Sequence, residues 1–490
     1  QSPRGDRSAW TAHPGPHHAG MTRARLVCPA IRWRRGSFNS ERSKIAQALS
    51  AGVGGFILFG GTRATVTALT TALRGKAGRA LLLGADLERG PGQQIRGLTE
   101  LPPPAALGFL NDLDAAYQAG VITATEARAV GINWIFAPVC DLDLEPKNPI
   151  VQTRSFGADP ARVGALAAAW IRGCQDHGVM ACAKHYPGHG RTTTDSHEGL
   201  AVVDAAAAEL QQTDVTPFVE AVKAGVGSVM PAFVAYPKWE PSGAAATFSP
   251  VLLDYLRGAI GFSGLVVTDA FIMGGATAAA PEGAAAVAAV NAGCDMLLYP
   301  TDWAGVVHAL ESVAPQRADE ALARYETSQR WGTGDGGRVE DATLAEHQKF
   351  ADGLADRALH LIRGEPAPLG RALSVSIVDD DVGGPYAIAS RDVFGRSLVA
   401  SGLSVPRYAE PGTRHVVLVY AEPRSWKGRG DLGARSVARL ERLSASASLV
   451  ILFAHPRLAS QIPGDVPVLC AWHGQALMQR AAARWVVTRI

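Results

Sequence analysis

The sequence has no dominant charge. Its 47 lysines and arginines stand against 45 aspartates and glutamates, a net of +2. That balance gives no electrostatic reason for a nucleic acid or an anionic membrane as the main partner. Long apolar runs are also missing, since none reaches the ~18 residues of a membrane span. Cysteine is scarce and scattered: Cys28, Cys140, Cys174, Cys182, Cys294 and Cys470 are the six in 490 residues. No two form a Cys-x-x-Cys pair, and several lie in apolar, strand-like runs, so they read as buried free thiols. There is no low-complexity repeat array. Residues 1–20 are rich in Pro, His, Gly, Ser and Arg and lack the apolar stretch of a signal peptide. They read as a disordered leader or an added extension, with Met21 a plausible start and His13, His17 and His18 as solvated tail. The expected location is cytoplasmic.

What remains is an ordinary globular composition, 47% hydrophobic and 19% charged, and a length that suits two or three domains. From about residue 25, short apolar strands alternate with amphipathic helices. Candidate strands are Arg25–Pro29, Gly54–Phe59, Ala80–Ala85, Trp134–Val139, Val179–Ala183, Ser228–Met230, Leu265–Thr268 and Asp295–Leu298. Eight parallel strands with helices between them predict a (β/α)8 barrel. Asp159-Pro160 and Ser249-Pro250 read as N-cap plus first-turn proline, each opening a helix that leads into an apolar strand. The expected layout is a leader at 1–20, the catalytic barrel at 21–330, a helical and linker segment at 331–370 with a glycine-rich break at 332–337, and a smaller α/β sandwich domain at 371–490. The last carries strands at Ala372–Val378, His415–Tyr420, Ser448–Phe453 and Pro467–Trp472.

Polar residues gather at the C-terminal ends of the barrel strands, where such folds place their active sites. Asp86 ends the third strand, Asp141 follows the fourth, Lys184 and His185 end the fifth, and Asp269 ends the seventh. The densest stretch is Lys184-His185-Tyr186-Pro187-Gly188-His189-Gly190, followed by Asp195-Ser196-His197. Three chemistries suit it. His185, His189 and His197 with Asp195 suggest a metal site, but the spacing fits no zinc motif and Lys184 repels a cation. Gly188 and Gly190 suggest phosphate binding, but no Walker-type Gly-Lys-Ser/Thr follows. Glycosyl transfer needs a carboxylate under the anomeric carbon, a proton donor above the leaving oxygen, and groups that fix hydroxyls. Asp269 can be the carboxylate. His197, oriented by Asp195, can donate the proton. Lys184, His185 and Asp86 can hold hydroxyls.

The cluster resembles the signature of family 3 glycoside hydrolases, in the β-N-acetylglucosaminidase branch. The likeness extends to Gly52–Phe59, Ala137-Pro138-Val139, Asn148-Pro149, Arg154-Ser155-Phe156-Gly157, Gly261–Asp269 and Ala292–Leu298, in the family's order. It implies Asp269 as nucleophile and His197 as general acid/base with Asp195 as its partner. It also implies that Asp86, Arg96, Arg154, Lys184 and His185 bind the terminal sugar. Neither metal nor cofactor is expected. Departures are visible: Asp86-Leu87-Glu88-Arg89-Gly90-Pro91-Gly92 replaces an acidic-Gln-Glu-Gly-Gly stretch, Arg191 stands where an acidic residue is common, and Phe233 replaces a frequent histidine. His189 reads as structural, and the second domain as a packing module. The expected activity is retaining, exo-acting removal of terminal β-linked N-acetylglucosamine from an oligosaccharide or muropeptide. The rivals are a β-glucosidase or dual-specificity glycosidase, a phosphorylase of the same sugar, and, outside enzymology, a glycan-binding barrel.

Overall fold

The computed structural model describes residues 22–194, 199–273, 280–332, 338–384, 388–406 and 412–490. The leader, the dyad of Asp195 and His197, and most of the 332–337 break lie outside the described residues.

Eight parallel strands close into a barrel. The first is interrupted at Pro29 and forms β1 (Val27–Cys28) and β2 (Ala30–Arg32). The others are β3 (Gly55–Phe59), β4 (Leu82–Ala85), β5 (Trp134–Ile135), β6 (Met180–Tyr186), β8 (Ser228–Pro231), β10 (Leu265–Val266) and β11 (Leu297–Leu298), with a short side pair of β7 (Ala201–Val202) and β9 (Val234–Ala235). Seven strands run in the order β10-β8-β6-β5-β4-β3-β2, and the ring closes where Val27 pairs with Leu297 and Cys28 with Leu298. Every expected barrel strand is present, and the α/β class follows as read.

Period-two alternation divides the strand residues between two cores. Cys28, Ala30, Ile57, Trp134, Phe136, Met180, Cys182, Val267 and Met296 fill the barrel interior as one buried cluster. Their sequence neighbours, such as Ile31, Phe56, Ile135, Ala181 and Val266, pack outward under the helices. Gly84 is small because Phe136 fills the interior beside it: a Cβ there would stand 2.6 Å from the ring. The helices form where the punctuation predicts. Asp159 accepts from Arg162 N–H at 2.8 Å and opens the helix Pro160–Asp176. Ser249 accepts from Leu252 N–H at 3.1 Å and opens Pro250–Gly258.

The second sheet has the order β12-β16-β15-β14-β13, from β12 (His360–Arg363), β13 (Leu373–Asp379), β14 (Arg414–Ala421), β15 (Leu449–Ala454) and β16 (Val468–Cys470). Helices Val393–Ala400 and Ala476–Val487 cover one face, and Ala434–Ser444 the other. β12 is an addition. It lies in the stretch read as helix and linker and pairs antiparallel with β16, directly after the helix Asp341–Ala358.

One buried carboxylate ties the end of the barrel together. Asp295, just before β11, accepts from Arg257 at 2.5 Å, from Arg317 and Arg324 at 2.9 Å each, and from Val266 N–H at 2.9 Å. These partners come from β10 and from helices Pro250–Gly258 and Pro315–Ser328. Removing it leaves three half-buried guanidiniums facing each other without their shared carboxylate. Asp295→Ala is therefore expected to cost about 3–5 kcal/mol of stability, measured by denaturant unfolding.

Candidate active site

The interior side of the strand alternation ends, at the C-terminal rim, in Asp86, Lys184 and Asp269. Each lies two residues beyond an inward position, namely Gly84, Cys182 and Val267. Lys184 is only 3% exposed. Its ammonium donates to Asp86 at 2.9 Å and to Glu88 at 2.7 Å. Glu88 in turn takes a two-pronged contact from Arg154, Nε to Oε2 at 2.9 Å and Nη2 to Oε1 at 2.8 Å. Burial works to raise the Glu88 carboxyl, but Arg154 and Lys184 overcome it and hold the group well below its ordinary range. Burial works to lower the lysine, and here Asp86 and Glu88 overcome it and raise its pKa. The result is a fixed chain of four charges, Asp86, Lys184, Glu88 and Arg154, across the ends of strands three, four and five.

A second pair lies beside it. The register of β6 against β8 shifts between Lys184 and Tyr186, so the alternation breaks and His185 also turns to the mouth. Asp141, fully buried, accepts from His185 Nδ1 at 2.7 Å and from the backbone N–H groups of His185 and His189 at 3.1 and 2.7 Å. Burial opposes ionisation of Asp141, but His185 and His189 outweigh it and lower its pKa. A charged Asp141 fixes the Nδ1–H form of His185 and sends Nε2 toward the mouth, 3.9 Å from Asp269 Oδ2. That gap is too long for a direct hydrogen bond. Asp269 is itself held by Ala270 N–H at 2.7 Å.

The remaining residues of the motif shape the loop. His189 is buried, with Thr192 Oγ1 2.8 Å from its Nδ1 and its carbonyl accepting from Asn148 at 3.0 Å. Gly190 passes so close to the fourth-strand loop that a Cβ would lie 1.6 Å from Leu142 O. Arg191 does not face the strand ends but pairs with Asp214 at 2.9 Å and Glu209 at 2.6 Å. Buried Phe233 packs against half-buried Phe248 and against buried Phe271, which lies two residues after Asp269. Of the expected sugar-binding residues, Asp86, Arg154, Lys184 and His185 converge. Arg96 is exposed, and its backbone bridges to Thr62 after β3. Asp195 and His197 lie outside the described residues.

Glu88 was not among the expected site residues. The signal was present: it lies two residues past Asp86, on the same side of the alternation. The second domain also reaches the site. Arg89 Nη1 donates to Gln475 Oε1 and lies 3.4 Å from His473 Nδ1, both in the turn after β16. Arg457 and His455 contact Asp143 in the loop after the fourth strand, the histidine at 3.0 Å.

Carboxylates and a buried cation converging at the C-terminal mouth of an eight-stranded barrel are the arrangement of a barrel enzyme's active site. The model of the Glycosyl hydrolase family 3 N terminal domain matches residues 27–328, and the chain belongs to this family. A β-N-acetylglucosaminidase/β-glucosidase of Cellulomonas fimi is 32% identical over 394 residues, 74% of this chain and 69% of that protein. A β-hexosaminidase of Chromobacterium violaceum is 38% identical over 298 residues, 59% of this chain and 82% of that protein. A solved structure of a glycoside hydrolase family 3 β-N-acetylglucosaminidase from Paenibacillus sp. has a TM-score of 0.83 at 26% identity, covering 96% of this chain and 97% of that one.

Glu88→Gln removes the charge that compensates Lys184 and Arg154, and is expected to destabilise the fold by about 3 kcal/mol at pH 7. Because the folded-state pKa of Glu88 is lowered, that contribution is present above the unfolded value of about 4.3 and fades as pH falls through the folded one. Unfolding curves of wild type and variant should therefore converge in acid. A gap that stays constant down to pH 3 contradicts the charge assignment.

Proposed function

We propose that the chain is a retaining, exo-acting β-N-acetylglucosaminidase. The observation that carries the reading is the position of Asp269, at the end of the seventh strand and facing His185 across the mouth, beside a pre-formed Asp86–Lys184–Glu88–Arg154 chain. Lys184, Asp86, Arg154 and His185 grip the terminal sugar through its hydroxyls, with charge-assisted hydrogen bonds.

The reaction has two steps. A carboxylate oxygen of Asp269 attacks the anomeric carbon while the bond to the leaving oxygen breaks, and His197 gives that oxygen its proton. Water then attacks the same carbon, returns a proton to His197 and frees Asp269. Asp195 orients the imidazole and favours its protonated form before the first step. A histidine that has given up its proton is neutral, so an anionic acceptor such as phosphate is repelled less than it is by a carboxylate base. The substrate class is an N-acetylglucosamine-terminated oligosaccharide or muropeptide. A second reading, dual action on β-glucosides, is favoured by the Cellulomonas fimi relative, whose name carries both activities. Six buried free thiols suit a reducing compartment, and we place the enzyme in the cytoplasm.

Asp269→Ala is expected to abolish turnover, and a mechanism-based fluoro-sugar should label Asp269, read by peptide mass spectrometry. A label on another carboxylate removes the nucleophile assignment. His197→Ala should slow substrates with poor leaving groups far more than activated aryl glycosides, which need little protonation. Equal losses on both would deny it the role of general acid. Aryl β-N-acetylglucosaminide against aryl β-glucoside, each with and without phosphate, separates the named alternatives.

A further inference from the structure

The segment that carries Glu88 is gripped from outside the barrel. Leu101 N–H donates to Arg89 O at 2.9 Å and Gly92 N–H to Thr99 O at 2.8 Å, so residues 89–101 close into a flap after β4. Gln475 of the second domain, 2% exposed, holds both ends of that flap. Its Nε2 donates to Leu101 O at 2.7 Å, and its Oε1 accepts from Arg89 Nη1. The first turn of the helix that follows adds Leu477 N–H to Glu100 Oε2 at 3.3 Å. Gln475 N–H donates to His473 Nδ1 at 3.1 Å, which also faces Arg89. Burial and the nearby Arg89 guanidinium push His473 down to about 3, so its ring is neutral and Nδ1 serves as an acceptor. Burial lowers the Arg89 pKa, and the facing carboxylates of Glu422, Glu100 and Glu88 offset part of that cost.

Arg89 follows Glu88 directly in the chain. The Glu88 carboxylate makes contacts of 2.7–2.9 Å to Lys184 and Arg154, and such contacts weaken steeply with displacement. We infer that Gln475 and Arg89 are positioning residues: the second domain sets the place of Glu88, and through it Lys184 and Arg154, for the sugar. The inference rests on the reading of these residues as the sugar site. It gives the second domain a part in substrate binding through the barrel's own residues.

The test compares Gln475→Ala, Gln475→Glu, Arg89→Ala and the Arg89→Ala/Gln475→Ala double variant with the full-length protein. Gln475→Glu keeps an acceptor for Arg89, loses the donor to Leu101 and adds a negative charge beside the guanidinium. Sugar-holding groups act in the ground state and the transition state alike, so their misplacement shows in KM. Gln475→Ala is expected to raise KM for an aryl β-N-acetylglucosaminide about tenfold with kcat within about threefold, and Gln475→Glu to keep KM within about threefold. The double variant should lose less than the sum of the two single losses, because both remove the Arg89–Gln475 contact. Wild-type KM in Gln475→Ala, or additive losses in the double variant, overturns the inference, whatever the melting temperature does. If Arg89→Ala does not fold, the two Gln475 variants decide.

Hydrogen exchange supplies a readout independent of activity. Amides of residues 86–101 should exchange faster in Gln475→Ala but not in Arg484→Ala, whose ion pairs with Asp352 and Asp356 lie elsewhere. Equal rates in wild type and Gln475→Ala overturn the brace. Absence of any aryl glycoside turnover by wild type would overturn the functional reading instead, and the exchange experiment still judges the brace.

Discussion

Lys184 is a buried ammonium, and a buried cation holds its charge only beside compensating carboxylates. Asp86 and Glu88 provide them, and Arg154 takes the second charge that this leaves on Glu88. Each member comes from a different part of the barrel mouth: the end of β4, the loop after it, the region after β5, and β6. The ion chain therefore does two things at once. It staples neighbouring strand ends, and it presents pre-oriented donors and acceptors to a polyhydroxylated ligand with little reorganisation on binding.

Asp269 contrasts with the other carboxylates of the mouth. Asp86, Glu88 and Asp141 are each committed to a cation or an imidazole at 2.7–2.9 Å. Among the described residues, the one ion-pair contact of Asp269 is to His185 at 3.9 Å, and its side chain is 17% exposed. A nucleophile has to be ionised, accessible and not locked into an arginine fork. Asp269 is accessible and, among the described residues, has no cation within hydrogen-bond distance, whereas Asp86, although 31% exposed, is engaged by Lys184, and Glu88 and Asp141 are buried. Asp141 contributes indirectly, since it fixes the His185 ring that faces Asp269.

The barrel was legible because its signals are local. Alternating apolar runs and the Asp159-Pro160 and Ser249-Pro250 caps are encoded within a few residues of where they act. Strand ends were equally readable, and with them Asp86, Lys184, His185 and Asp269. Three features escaped. β12 is a four-residue edge strand with half-buried positions, too short to carry a period. Glu88 carries a signal, its place two residues past Asp86, but its partners Lys184 and Arg154 are 96 and 66 residues away and no local pattern names them. The grip of Gln475 on Arg89 joins residues 386 apart, and no periodicity encodes such a contact. The assignment of Asp195 and His197 rests on the motif and not on geometry.

The central claim is that Asp269 forms a covalent bond to the sugar, so that two displacements on one carbon restore its configuration. The most direct measurement is the anomer released first. Proton NMR of a hydrolysis run at high enzyme concentration, recorded before mutarotation, should show the β-anomer of N-acetylglucosamine appearing first and the α-anomer only later. An initial burst of the α-anomer means single displacement by water, and it contradicts the account.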